Sequence, residues 1–359
     1  MSREALLVLG MHRSGTSATA GLLVRLGAQG PSMLMPADAS NPEGYWESRR
    51  LWEVHERLLR EIGSRWDAYT HLDTEKLQSS ISADLKDECR RALRAEFGDA
   101  SRLVLKDPRM CRLVPFWLRV LESEAVTPAA VLVLRRPAEV ARSLGVRNGF
   151  EPDLSLLIWL RHVLDAEFHT RAVRRTFVRY RDLVDDWRSV AQRISRDLEM
   201  PWRSRTPADE AEIDRFVNSG LHHYRDERES PDVTPVLAEW LRRASAALQR
   251  LHDYDSSDSG AFAALDAVRV EFDRTTMALG DVAERIRRSL EDQVEHLVKE
   301  QHSLREQAAG LEAIRADLHE RMSALEQALS AARRDAEALR ESASWRITAP
   351  LRAAYRLFR

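Results

Sequence analysis

The chain opens on an unbroken apolar run at 5–9 (ALLVL), and shorter apolar runs recur at 103–105, 131–134 and 177–178. Runs of this length without polar alternation predict strands buried on both faces. Helical spacing of apolar positions follows at 16–27, 112–121, 137–148 and 181–198. Strand–helix alternation predicts an α/β fold: a central parallel sheet with helices on both sides, three layers in all. Inserted helices are expected at 49–63 and 80–97. The polar, breaker-rich stretch 252–260 (HDYDSSDSG) reads as a linker that closes a first domain over 1–251.

Beyond that stretch the period changes to seven. Leu290, Leu297, Leu304, Leu311, Leu318, Leu325, Ala332 and Leu339 recur as d positions, with Arg287, Val294, Gln301, Ala308, Arg315, Met322, Leu329 and Ala336 at a. The pattern predicts a helical region over 261–341 that ends in a long C-terminal α-helical coiled coil, strong at d and weak at a. One helix over 282–341 would reach about 90 Å at 1.5 Å per residue. A homodimer is the expected partner state; the competing expectation is a helix that folds back on its own domain. The last segment, 342–359, carries four arginines and no acid, interleaved with Trp345, Ile347, Leu351, Tyr355, Leu357 and Phe358. It reads as a basic amphipathic tail suited to an anionic membrane surface.

Composition narrows the partners. Hydrophobic residues make up 44% of the 359, enough for a sizeable core. Lys and Arg number 55 against 57 acids, a net charge of −2 that provides no general polyanion-binding field, so no nucleic acid is expected. Cys89 and Cys111 are too few for a disulfide framework or a cysteine metal cluster. His12, His55, His162, His222 and His223 show no ligand spacing, so no metal is expected. No run approaches the length of a membrane span, and no basic segment leads into a long apolar one at the start. A cytoplasmic chain is expected, with any membrane contact peripheral and at the inner face.

The most informative stretch is 6–17 (LLVLGMHRSGTS). A strand runs into a tight turn holding Gly10 and Gly15, then into a helix opened by Thr16 and Ser17. Backbone N–H groups at a helix N-terminus form an anion site. The glycine spacing is that of a nucleotide-triphosphate loop, but Thr16 stands where the phosphate-clamping lysine belongs, and Arg13 supplies a cation before the second glycine. A second stretch, 131–143 (VLVLRRPAEVARS), places Arg135 at a strand end, Pro137 at a helix start and Ser143 eight residues after Arg135. A planar guanidinium and a hydroxyl two turns into a helix suit a second phosphate.

These stretches resemble the sulfotransferases that use 3′-phosphoadenosine 5′-phosphosulfate (PAPS). HRSGTS is similar to that family's 5′-phosphosulfate loop, which assigns Arg13, Ser14, Gly15, Thr16 and Ser17 to donor binding. Arg135 and Ser143 are similar to its 3′-phosphate site. The stretch YRDLVDDW at 180–187 resembles an element in which a tyrosine, here Tyr180, lies near the adenine, although Arg181 replaces the family's acid. The adenine-side R-K-G loop is missing; 220–225 (GLHHYR) falls in its region.

Sulfuryl transfer needs a base for the acceptor hydroxyl and cations for charge developing on the bridging oxygen. The stretch NPEGYWES at 41–48 resembles the segment carrying a catalytic glutamate in protein-tyrosine and heparan sulfotransferases. Glu47 is favoured as the base, with Glu43 the alternative. LVLKDPR at 103–109 resembles an N-K-D-P element, which makes Lys106 the cation at the leaving phosphate, together with Arg13. Lys106 is one of only four lysines in an arginine-biased chain. The resemblance spans about residues 1–230 and implies a metal-free, PAPS-dependent O-sulfotransferase. A tail similar to those on bacterial polysaccharide-building enzymes points to a carbohydrate or lipid-linked glycan acceptor. The competing readings are a P-loop kinase or nucleotide-binding protein, disfavoured by Thr16, and a non-catalytic coiled-coil scaffold.

Overall fold

The computed structural model describes residues 3–37, 41, 44–73, 79, 81–218 and 233–357. Strands β1 (Arg3–Leu9), β2 (Arg102–Lys106), β3 (Val126–Leu134) and β4 (Arg174–Arg179) form one sheet in the order β2-β1-β3-β4. Every neighbouring pair is parallel. Alternation along the strands feeds two separate cores. Leu7, Leu9, Leu105, Leu132 and Phe177 point to one, and Leu6, Val8, Val104, Val131 and Val178 to the other.

The first core packs α2 (Arg49–Glu61), α3 (Ala83–Phe97), α4 (Met110–Ser123), α5 (Pro137–Asn148), α6 (Pro152–His169) and α10 (Pro235–Asp253). The second packs α1 (Thr16–Arg25), α7 (Tyr180–Asp185), α8 (Trp187–Asp197) and α9 (Pro207–Asn218). A sheet buried on both faces explains why its strands read as plain apolar runs.

Three differences from the sequence reading have local causes. Strand β3 starts at Val126, ahead of the apolar run, because its first residues pair with β1 from Arg3↔Val126 onward. Pro128 is tolerated there because β4 joins only at Ala129↔Arg174, so the strand still has a neighbour on one side alone. The single helix expected at 181–198 is two helices. Asp186 leaves the helical region (φ −154°), and its carboxylate caps α8 by accepting from the N–H groups of Arg188 and Ser189.

The third difference concerns domain limits. The chain forms two compact units, Met1–Glu284 and Arg285–Arg359. The stretch expected as a linker at 252–260 is instead a turn between α10 and α11 (Ser259–Glu341), and both helices pack on the first core. Ala261, Leu265, Val268 and Phe272 are buried at helical spacing on the first turns of α11. Burying Leu265, Val268 and Phe272 stabilises by about 1.5–3 kcal/mol each at most. Arg161 reaches Asp273 at 2.6 Å, and Arg171 reaches Asp266 at 2.8 Å. The start of α11 is thus part of the first unit.

In the second unit the rest of α11 is followed by α12 (Ala343–Ile347), capped by the Ser342 hydroxyl, and α13 (Ala349–Leu357). Among the described residues no helix is long and apolar enough to cross a membrane.

Candidate active site

Parallel strands deliver all four carboxyl ends to one edge of the sheet. Chain progress reverses between β1 and β3, and ligands of open α/β sheets bind in the crevice at such a switch. The phosphate loop follows β1 and Arg135 follows β3. Lys106 ends β2 in register with Val8, and Arg179, the last residue before Tyr180, is in register with Leu134. Four stretches far apart in sequence therefore meet at one place.

Arg13 and Gly15 both adopt left-handed backbone (φ 68° and 94°), which bends the loop into a concave turn at the start of α1. A side chain at Gly15 could not be fitted: a Cβ would lie 2.1 Å from Cδ2 of Tyr180. Among the described residues no side chain caps α1, so its first N–H groups face an anion site. Ser14 is buried and, among the described residues, its hydroxyl has no hydrogen-bond partner, a polar atom that a phosphate oxygen would satisfy. The Gly10 N–H donates to Cys111 Sγ (3.1 Å); burial pushes that thiol up to about 12, so it stays neutral beside the loop.

The two expected phosphate sites are joined. Arg13 Nε donates to Ser143 Oγ at 2.7 Å, and Arg135 Nη1 donates to the Arg13 carbonyl at 2.8 Å. Arg135 also pairs with Glu139 (2.9 Å), and its guanidinium lies 4.6 Å from the centre of the Tyr180 ring. Tyr180 therefore packs against both phosphate elements.

Lys106 and Glu47 form a buried ion pair at 2.5 Å. The Lys106 ammonium also donates to Ser17 Oγ (3.2 Å) and to the Tyr45 carbonyl (2.9 Å). One cation thus links the phosphate loop to the carboxylate. Burial raises Glu47 above the usual carboxylate range, and the Lys106 charge opposes that rise without cancelling it. A carboxylate so placed holds a proton more readily than an exposed glutamate, which suits a general base. Glu43 and the segment 220–225 lie outside the described residues.

The strand end that carries Lys106 is held by a buried chain. Asp107 Oδ2 lies 2.7 Å from His55 Nδ1, and Trp117 Nε1 donates to His55 Nε2 at 2.8 Å. Because Trp117 can only donate, His55 Nε2 is the acceptor and its Nδ1–H faces Asp107. Burial works against ionisation of Asp107, but Arg109 (3.0 Å) and His55 hold it well below the usual carboxylate range. His12 packs edge-on against Trp66 at 4.6 Å, and burial, with the Arg109 charge, keeps it well below its usual value.

Sequence reasoning missed His55, Trp117 and the Tyr45 carbonyl. A histidine within α2 and a backbone oxygen carry no local pattern that would single them out.

A family model described as "Sulfotransferase family" matches residues 5–204. The chain belongs to the sulfotransferase family. Among solved structures it is similar to the sulfotransferase domain from the Synechococcus PCC 7002 olefin synthase, at 18% identity. That match covers 68% of this chain and 94% of that one, with a TM-score of 0.39. It is also similar to the sulfotransferase domain from the curacin biosynthetic pathway, at 18% identity, covering 56% and 76% of the two chains with a TM-score of 0.33. No curated protein gives a significant match. The sulfotransferase family model spans the phosphate loop, Glu47, Lys106, Arg135, Ser143 and Tyr180. Sulfuryl transfer is accordingly the chemistry of this chain.

Proposed function

We propose that this sulfotransferase moves a sulfuryl group from PAPS to a hydroxyl of a carbohydrate or lipid-linked glycan. The observation that carries this reading is Lys106, which spans from Ser17 of the phosphate loop to Glu47. The donor would supply a sulfuryl group activated on a phosphate. The loop N–H groups, the unpartnered Ser14 hydroxyl and Arg13 fit its 5′-phosphate side, and Arg135 with Ser143 fits the 3′-phosphate. Glu47 takes the proton from the acceptor oxygen as the new S–O bond forms. Lys106, with three donors on a pivoting stem, exchanges one of its present partners for the oxygen that leaves.

Arg135→Ala should weaken binding of 3′-phosphoadenosine 5′-phosphate by about 1.5–3 kcal/mol, as for a hydrogen bond to a charged group. Binding of adenosine 5′-phosphosulfate, which lacks the 3′-phosphate, should weaken less. Titration calorimetry with both ligands makes the comparison. Equal losses would mean that Arg135 acts only by holding the Arg13 carbonyl, and would remove the 3′-phosphate assignment.

The tail supports a site of action at an anionic membrane face. Trp345, Ile347 and Leu351 are exposed, and Arg352 lies 3.7 Å from the Trp345 ring centre. Each tail arginine contributes about 1 kcal/mol near such a surface. Full-length protein should co-sediment with phosphatidylserine-containing vesicles at low salt. Arg346→Glu with Arg352→Glu should release it. Binding unchanged by both substitutions would rule out the tail as the contact.

A further inference from the structure

Among the described residues the second unit exposes an apolar stripe. Leu290, Leu297, Leu304, Leu311, Leu318 and Leu325 are each 55–70% exposed, one per heptad on α11. A continuous stripe of this kind is far more apolar surface than a helix keeps in water without a partner. The flanking charges identify the partner and its direction.

In a parallel, in-register pair, residue n at g faces residue n+5 at e of the other helix. Glu300 then meets Arg305, Arg321 meets Glu326, and Asp335 meets Arg340, each contact occurring twice by symmetry. The remaining combinations at these positions (Ile286 with Glu291, Gln293 with Val298, and so on along the helix) set no like charges against each other. An antiparallel pair with the same stripes overlapped loses all three contacts, keeps a single kind of opposite-charge pair (Glu291 with Arg333) and sets Glu312 against its own copy. At a positions, Gln301 would meet its own copy and fix the register, as buried amides do in parallel coils. Arg287, which reaches Glu291 of its own helix at 3.2 Å, and Arg315 stand at a with their stems along the stripe, which weakens the coil without blocking it.

We infer that residues 285–341 pair with a second copy of this chain as a parallel, in-register two-stranded coil. Parallel pairing brings the two basic tails out at the same end, where they act on one surface together. Arg321 also reaches Asp317 in its own helix at 3.0 Å, so Glu300–Arg305 is the pair best suited to testing.

Full-length protein should sediment as a dimer at tens of micromolar. Cys89 and Cys111 are buried, so the unaltered chain should not cross-link on oxidation. Leu297→Cys and Leu325→Cys, made separately, should each form a disulfide-linked dimer with itself. Cross-links only on mixing cysteine variants from opposite ends of the stripe would overturn the parallel direction, and a monomer would overturn the pairing. Glu300→Arg should weaken the dimer about tenfold, from two attractive contacts made repulsive. Glu300→Arg combined with Arg305→Glu should restore it. No loss in the single variant would overturn the register. None of the changed residues is among those assigned to sulfuryl transfer, so transfer to a soluble acceptor tests that assignment separately.

Discussion

Glu47→Gln should lower kcat by roughly 10²–10⁴ while leaving affinity for 3′-phosphoadenosine 5′-phosphate nearly unchanged. Glutamine keeps the shape of the side chain and can still accept from Lys106, so the buried site should hold its packing. What it cannot do is accept the acceptor's proton. The pH profile separates this role from a structural one. Glu47 must be ionised to act, and burial raises it above the usual carboxylate range. In the unaltered enzyme kcat/KM should therefore rise with pH through a limb lying above that of an exposed glutamate. Residual activity of the glutamine variant should lack that limb. An unchanged kcat would remove Glu47 as the base and leave Glu43 as the remaining choice on this loop.

Lys106→Met should lower kcat by roughly 10²–10³, the scale for losing one donor to a developing oxyanion. A donor whose leaving group is more acidic needs less help, so its loss should be smaller. A second effect follows from the ion pair. The Lys106 charge is the largest influence holding Glu47 down against burial. Its removal should move the acid limb of kcat/KM to higher pH, because the base then ionises less readily. A fall in kcat with no displacement of the limb would separate Lys106 from Glu47 in the working enzyme. A uniform loss across donors would place it in a supporting role at the strand end.

The C-terminal region shows how far a local pattern carries. The seven-residue period places a helix over 282–341 without any other information, since leucine spacing on a helix is a local property. The limits of the first unit could not be obtained in this way. The run HDYDSSDSG has the composition of a linker, yet Leu251 and His252 are buried and the helix after it packs on the same core. Nothing local distinguishes a polar turn between two packed helices from a polar tether between two domains.

The apolar runs at 5–9, 103–105, 131–134 and 177–178 were sufficient to place the four strands, because a sheet covered on both faces excludes polar residues from its middle. The glycine-bearing turn and Arg13 marked the candidate anion site, since backbone N–H groups at a helix start follow from the sequence of strand, turn and helix. Strand ends were harder: the arginines of β4 hide its length, and only the contact of Arg175 with Glu167 (3.1 Å) shows how such a charge is accommodated in the interior. The candidate catalytic arrangement belongs to the tertiary structure. Lys106 and Glu47 are 59 positions apart, and Arg13 and Ser143 are 130 apart. His55, which orients the strand end through Asp107, looks like any other residue of an amphipathic helix. Residue type and spacing decide local conformation, because those energies act within a few positions. Which side chains share a buried charge is decided only when the sheet order brings distant strand ends to one edge.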